Sequence, residues 1–112
     1  MNIQIFGKSK CFDTKKAERY FKERRIKFQY IDLEEYPPAP RVHQLFKQKL
    51  GLDALIDKNC REYEDYYVGY QATPDAVEEK LLDHPRLYAA PIVRNGNEVT
   101  VGYCPDVWKN WQ

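Results

Sequence analysis

Cys11 has the surroundings of a reactive thiol. It follows residues 2–6, where Ile3, Ile5 and Phe6 read as a strand, and it precedes a helical run opened by Asp13 and Thr14. The first amides of a helix lack intrahelical partners and carry the positive end of its dipole. They therefore favour a thiolate placed beside them. Lys8 and Lys10 precede the cysteine, and Lys15 and Lys16 follow it. Neighbouring cations of this kind make a sulfur a better nucleophile. Thr14 closes a Cys-Phe-Asp-Thr motif, and at that spacing its hydroxyl can face the sulfur and donate a hydrogen bond. Asp13 opposes the thiolate unless it points away and caps the helix. The competing reading makes Cys11 a small buried filler and Thr14 a cap.

The other candidates for chemistry are weaker. Cys60 and Cys104 bring the cysteines to three, an odd number at wide and irregular spacing. A disulfide framework is not expected, and a reducing compartment fits better. Cys104 follows the last strand and is the better candidate for a resolving thiol, while Cys60 reads as a bystander. His43 and His84 do not stand at a metal-ligand spacing from any cysteine, so no metal site is expected. His43 reads as a solvated helix residue and His84, before Pro85, as a helix-end cap. Tyr63, Tyr66, Tyr67 and Tyr70 lie among Glu62, Glu64 and Asp65. Aromatics stack on bases from basic surfaces, so this acidic group reads as packing or a protein contact.

The elements that must hold Cys11 follow from the pattern around it. The stripe of Ala17, Tyr20, Phe21 and Arg24 predicts a helix ending near Arg25, and 27–33 a second strand. Strand, helix, strand within 33 residues suits a parallel crossover. Tyr36-Pro37-Pro38-Ala39-Pro40 is a break. Val42, Leu45 and Phe46 predict a helix that stops at Gly51, Leu52 to Ile56 a short one, and Thr73-Pro74-Asp75 opens another that ends before His84-Pro85. Asn95-Gly96-Asn97 between two β-branched runs predicts a hairpin. Pro105 can start a last helix, with Val107, Trp108 and Trp111 packing back on the sheet. The order predicts an α/β fold: a four-stranded mixed sheet flanked by helices, with a helical insert of about 40–84 between β-α-β and β-β-α halves.

The whole chain of 112 residues suits one domain. Apolar residues make up 43% and charged residues 31%, which argues against disorder. No apolar run approaches the ~20 residues of a membrane helix, and the first residues lack the pattern of a secretory leader. A net charge of +1 argues against direct nucleic-acid binding. The charge is uneven, however. Residues 1–30 carry +6, residues 31–70 carry −3 and residues 71–112 carry −2. The basic first third can attract an anionic substrate or remain a solvated face.

Several segments together resemble the arsenate reductase-like branch of the thioredoxin/glutaredoxin superfamily, which also contains the Spx transcription regulators. They are Ile5-Phe6-Gly7, Lys10-Cys11-Phe12-Asp13-Thr14-Lys15-Lys16-Ala17, Asp53-Ala54-Leu55-Ile56-Asp57-Lys58-Asn59, His84-Pro85, Ala90-Pro91-Ile92-Val93 and Val101-Gly102-Tyr103. The resemblance implies a thioredoxin-like fold with Cys11 as the nucleophile and Thr14 beside it. It also implies a cis peptide at Ala90-Pro91, next to the active cysteine. Lys8, Lys10, Lys15 and Pro91 become candidate substrate-binding residues. Arg94 joins them by sequence proximity, although the match does not place it at the site.

The departures from that family are specific. Its arsenate reductases surround the cysteine with three arginines. Here the matching places hold Asp57, Ala90 and the Gly102-Tyr103-Cys104 stretch. Neither Ala nor Asp can grip an oxyanion as a planar guanidinium fork does. The regulators commonly carry CxxC, and Thr14 stands where the second cysteine would be. The expectation is a cytoplasmic, monomeric thiol–disulfide oxidoreductase of glutaredoxin-like type. No bound cofactor is expected. An external thiol, glutathione or a thioredoxin or glutaredoxin, would act as reductant, and a thiol, disulfide or small redox protein as partner. The alternative is an Spx-like regulator that contacts RNA polymerase without redox turnover.

Overall fold

A computed structural model describes residues 1–111. The chain divides into two compact units: Met1–Asp32 together with the residues from Ala90 onward, and Leu33–Ala89. The helical stretch expected at about 40–84 lies within the second.

The first unit is built on one mixed sheet. β1 (Ile3–Gly7) leads through α1 (Phe12–Glu23) into β2 (Phe28–Asp32), which pairs with β1 in parallel. β3 (Ile92–Asn95) lies antiparallel to β1 on its other side, and β4 (Glu98–Val101) antiparallel to β3. The order is β2-β1-β3-β4. The β3–β4 turn is Gly96-Asn97, and Gly96 takes the positive φ of 61° that a residue without Cβ adopts freely. Asn97 does not share it.

Alternation along β1 puts Ile3 and Ile5 on one sheet face, joined by Val93 of β3, the partner of Ile5. α1 meets that face with Ala17, Tyr20 and Phe21, residues whose spacing forms one helical stripe. Trp108 of α5 (Pro105–Trp108) completes the core and is fully buried. Its ring centroid lies 5.2 Å from those of both Tyr20 and Phe21, and its Nε1–H donates to Thr100 Oγ1 at 2.8 Å. Arg24 caps the stripe with its guanidinium 3.6 Å over the Tyr20 ring.

The second unit is helical: α2 (Pro40–Leu50), a single 3₁₀ turn at Asp53–Leu55, α3 (Arg61–Asp65), another at Val68–Tyr70, α4 (Pro74–Asp83) and a third at Pro85–Leu87. Gly51 ends α2 at φ 84°. Thr73 caps α4 by accepting the Ala76 N–H at 3.1 Å. α3 and the turn after it lie outside the elements expected from periodicity, because Tyr and Glu there show neither a helical nor an alternating apolar stripe.

One expectation is reversed here. His43 is not solvated but buried, at 2% exposure. Its Nδ1 lies 2.7 Å from the Tyr88 hydroxyl and its Nε2 2.7 Å from Glu78 Oε2. Lys47 Nζ holds the other Glu78 oxygen at 3.0 Å. Burial and the nearby Glu78 carboxylate push the Tyr88 hydroxyl up, so it stays protonated and donates. The tautomer with hydrogen on Nε2 then satisfies both ring contacts. His43 shares the inner helix face with Phe46, three residues on, and the polar network lets an imidazole occupy it.

That network makes stability pH-dependent. The hydrogen bonds from His43 and then Lys47 hold the Glu78 carboxyl below its ordinary value. A carboxyl lowered on folding stabilises the native state above its unfolded pKa, and that gain disappears as pH falls through the folded value. Glu78→Gln is therefore expected to cost ~1–3 kcal/mol near neutral pH. It should also flatten the loss of stability between about pH 5 and about pH 3. Urea midpoints across that window check both. An unchanged acid slope in Glu78→Gln would show that other carboxyls carry the effect.

Candidate active site

Cys11 sits at the N-cap of α1 with φ −90° and ψ 120°, and its side chain makes no capping hydrogen bond. The sulfur is thus not committed to the helix amides, which lack intrahelical partners in the first turn. The backbone holds it firmly: Cys11 N–H donates to Lys8 O, and Cys11 O accepts from Lys15 N–H, both at 3.2 Å. Cys11 is partly exposed. Its thiol donates to the Ala90 carbonyl at 3.6 Å, within the same unit. The Ala90–Pro91 peptide is cis, as the resemblance implies. Pro91 is buried, and its carbonyl accepts the Gly102 N–H at 2.8 Å. Strand β3 thereby delivers Ala90 and Pro91 to the cysteine loop.

Thr14 takes a different part from the one its spacing suggests. It is buried at 1% exposure, and its hydroxyl accepts the Lys8 N–H at 3.4 Å rather than meeting the sulfur. Helical side chains lean toward the N-terminal turn, which brings this branched residue onto the end of β1. Gly7 is where that contact needs a glycine. A Cβ there would collide with Thr14 Cγ2 and approach Tyr30 Cε2 to 3.0 Å. Gly7 and Thr14 together fix the loop from which Cys11 projects.

The expected cations are not equally close to the chemistry. Lys8 lies in the cysteine turn and is partly buried, and Lys10 is exposed beside it. Lys15 lines a shallow surface groove with Glu18, Arg19 and Lys22. Arg94 is not brought to the cysteine. It pairs with Gln4, two residues nearer the hairpin than the Phe6–Ile92 pair. Its Nε donates to Gly96 O at 2.8 Å and its Nη1 to Gln4 Oε1 at 3.2 Å. The register places it toward the hairpin end of β3, away from the Phe6–Ile92 pair.

Two exposed aromatic side chains of the first unit carry neither charge nor nucleophile. Phe12, the residue after Cys11, is 81% exposed. The signal was available: Phe12 falls on the same helix face as Lys15, Lys16 and Arg19, opposite the core stripe. Tyr103 is half-exposed in the loop after β4, with Lys16 Nζ 5.7 Å from its ring centroid.

The remaining thiols are held differently. Cys104 Sγ donates to Val101 O at 3.3 Å. Burial raises its thiol pKa and the Asp13 carboxylate adds to this, while the Thr100 hydroxyl partly offsets them. Cys60 Sγ donates to Asp57 O at 3.1 Å in the second unit. Asp57 itself accepts the Asn59 N–H on Oδ1 at 2.9 Å and closes a local turn. His84 ends α4, and its ring stacks on Tyr66 with centroids 3.6 Å apart.

The decisive comparison spans almost the full chain: the ArsC family model matches residues 6–111. The chain belongs to the ArsC family. The global transcriptional regulator Spx 2 of Oceanobacillus iheyensis is 25% identical over 109 residues, covering 95% of this chain and 80% of that protein. Among solved structures, the arsenate reductase from Vibrio cholerae superposes with a TM-score of 0.83 at 23% identity, over 98% of this chain and 97% of that one. An arsenate reductase related protein from Brucella melitensis gives 0.68 at 18% identity, over 99% and 94%. These structures share the thioredoxin-like fold of this ArsC family member. Among its described residues no helix is long and apolar enough to cross a membrane.

Proposed function

We propose that this ArsC family protein is a thiol–disulfide oxidoreductase with Cys11 as its nucleophile. The observation that carries the reading is the placement of Cys11. Cys11 is partly exposed, stands at the start of α1, spends no side-chain hydrogen bond on capping, and its sulfur lies against Ala90 of the cis peptide. Deprotonated Cys11 attacks one sulfur of a disulfide. A Cys11–substrate disulfide forms as the old sulfur–sulfur bond breaks, and the other half leaves as a thiolate. The first-turn amides of α1 stabilise the attacking anion. An external thiol, from glutathione or a small redox protein, then attacks the mixed disulfide, takes the substrate half and returns Cys11 as thiolate. Thr14 acts through the loop by holding Lys8. Lys8 and Lys10 supply positive charge, and the cis peptide at Pro91 sets the Ala90 carbonyl beside the sulfur.

Incubation with glutathione disulfide tests this reading. A single glutathione adduct on Cys11 is expected by mass spectrometry, together with glutathione-dependent thiol transfer that Cys11→Ser abolishes. Transfer that persists in Cys11→Ser would reject it. A second reading, supported by the similarity to the Oceanobacillus regulator, makes the protein an RNA polymerase-binding regulator. Pull-down of polymerase by wild type and Cys11→Ser alike, without thiol transfer, would favour that reading.

A further inference from the structure

The four tyrosines at positions 63, 66, 67 and 70 are not buried. In the stretch from Arg61 to Tyr70 only Val68 is buried, at 3% exposure. Tyr67 is 66% exposed and Tyr70 84%. A purely structural aromatic cluster would shield its rings, since each carries a large apolar surface. Tyr67 also adopts a left-handed backbone, φ 53°, which costs a bulky residue about 1 kcal/mol or more. That conformation belongs to the same residue whose ring is thrust outward.

The rings form a recess rather than a scattered patch. Tyr67 and Tyr70 have centroids 6.4 Å apart, inclined at 58°. With Tyr63, Gly69, Glu64 and Lys58 they line an open cleft of about 590 Å³. A Cβ on Gly69 would come within 2.8 Å of the Tyr63 hydroxyl, so a side chain there would have to displace that ring. The stack of Tyr66 on His84 ties the segment to the end of α4.

The charge around the cleft selects what enters it. Lys58 is paired with Asp53 at 2.8 Å, and Arg61 faces Asp65 at 3.4 Å. Among the described residues, Glu62 and Glu64 have no cationic partner. Carboxylates beside electron-rich ring faces repel anions and suit a planar cation, which can stack on tyrosine and bond a carboxylate with its edge. The chain uses this pairing internally, where Arg24 lies over Tyr20. We propose that the Tyr67–Tyr70 cleft docks an arginine-bearing, extended segment of a partner protein, with a guanidinium on the tyrosine rings and Glu64 as its counter-charge. The surface is independent of the thiol chemistry of Cys11.

The probe is a fluorescein-labelled Gly-Arg-Gly-Arg-Gly-Arg-Gly peptide, followed by anisotropy with the full chain. Two control peptides replace every arginine with lysine or with glutamate. The arginine peptide should bind, the lysine peptide several-fold more weakly because an ammonium cannot stack as a plane, and the glutamate peptide not at all. The double change Tyr67→Ala and Tyr70→Ala should weaken binding about tenfold or more, and Glu64→Gln several-fold. Both sites are exposed, and circular dichroism confirms that the variants remain folded. Cys11→Ser should bind like the wild type. Equal binding by the double variant, equal binding of the glutamate peptide, or no binding of the arginine peptide at about millimolar concentration would overturn the proposal. Self-association abolished by the double variant would also overturn it, by assigning the cleft to a second copy of the chain.

Discussion

Arsenate turnover by the purified protein is expected to fall at least about a hundredfold below that of an arginine-bearing family reductase. Arsenate near neutral pH is an anion, and the attacking thiolate is another. Their approach needs fixed positive charge aimed at where charge accumulates in the transition state. The resemblance locates that charge in three arginines, and this chain has Asp57, Ala90 and Gly102-Tyr103-Cys104 in their places. Removal of one preorganised donor typically costs ~3 kcal/mol, and such losses need not add. Arg94 offers no substitute, because its guanidinium serves Gly96 O and Gln4 at the hairpin end of the sheet. Lys8 and Lys10 remain, as point charges without a fork's geometry. Arsenite production with glutathione and glutaredoxin, or with thioredoxin, measures the outcome. Turnover equal to that of a family reductase would show that the lysines suffice.

The second large effect is on stability. Trp108→Ala should cost ~3–5 kcal/mol and lower the melting temperature by roughly 15 °C. The indole is wholly enclosed, and the core around it comes from three sources: β1, α1 and β3. Closing the space would require β1, β3 or α1 to shift. Trp108→Phe separates the contributions. It keeps most of the ring contacts but removes the donor to Thr100 Oγ1, so ~1–2 kcal/mol is expected. Thermal melts by circular dichroism give both values. A loss below about 1 kcal/mol for the alanine variant would mean that the core closes over the space.

Much of this was legible in the residues themselves. Ile3, Ile5, Ala17, Tyr20 and Phe21 carry plain periods of two and of about 3.6, and each sits where its period directs. Asn95-Gly96-Asn97 marked the hairpin because positive φ has few hosts. His43 was misread because a search for apolar stripes treats imidazole as a solvent-facing residue. Its partners Glu78 and Tyr88 lie 35 and 45 positions away, and no local pattern announces them. Thr14 was located but its direction was not. Whether its hydroxyl meets sulfur or the Lys8 amide depends on how closely β1 approaches α1, which Gly7 decides. Arg94 looked close to Pro91 because three residues is a short interval, yet along an extended strand it spans ~10 Å.

The central claim is that Cys11 is the reactive thiol, and competitive alkylation tests it most directly. The folded protein is pulsed with limiting iodoacetamide at steps from about pH 5 to about pH 9, then denatured. The remaining thiols are labelled with the heavy reagent and each cysteine is quantified by mass spectrometry. Cys11 should react first at every pH, with a lead of about tenfold or more. Cys104 should lag because burial disfavours its thiolate, and Cys60 because its sulfur is bonded to Asp57 O. Faster labelling of Cys60 or Cys104 than of Cys11 would contradict the assignment of the site.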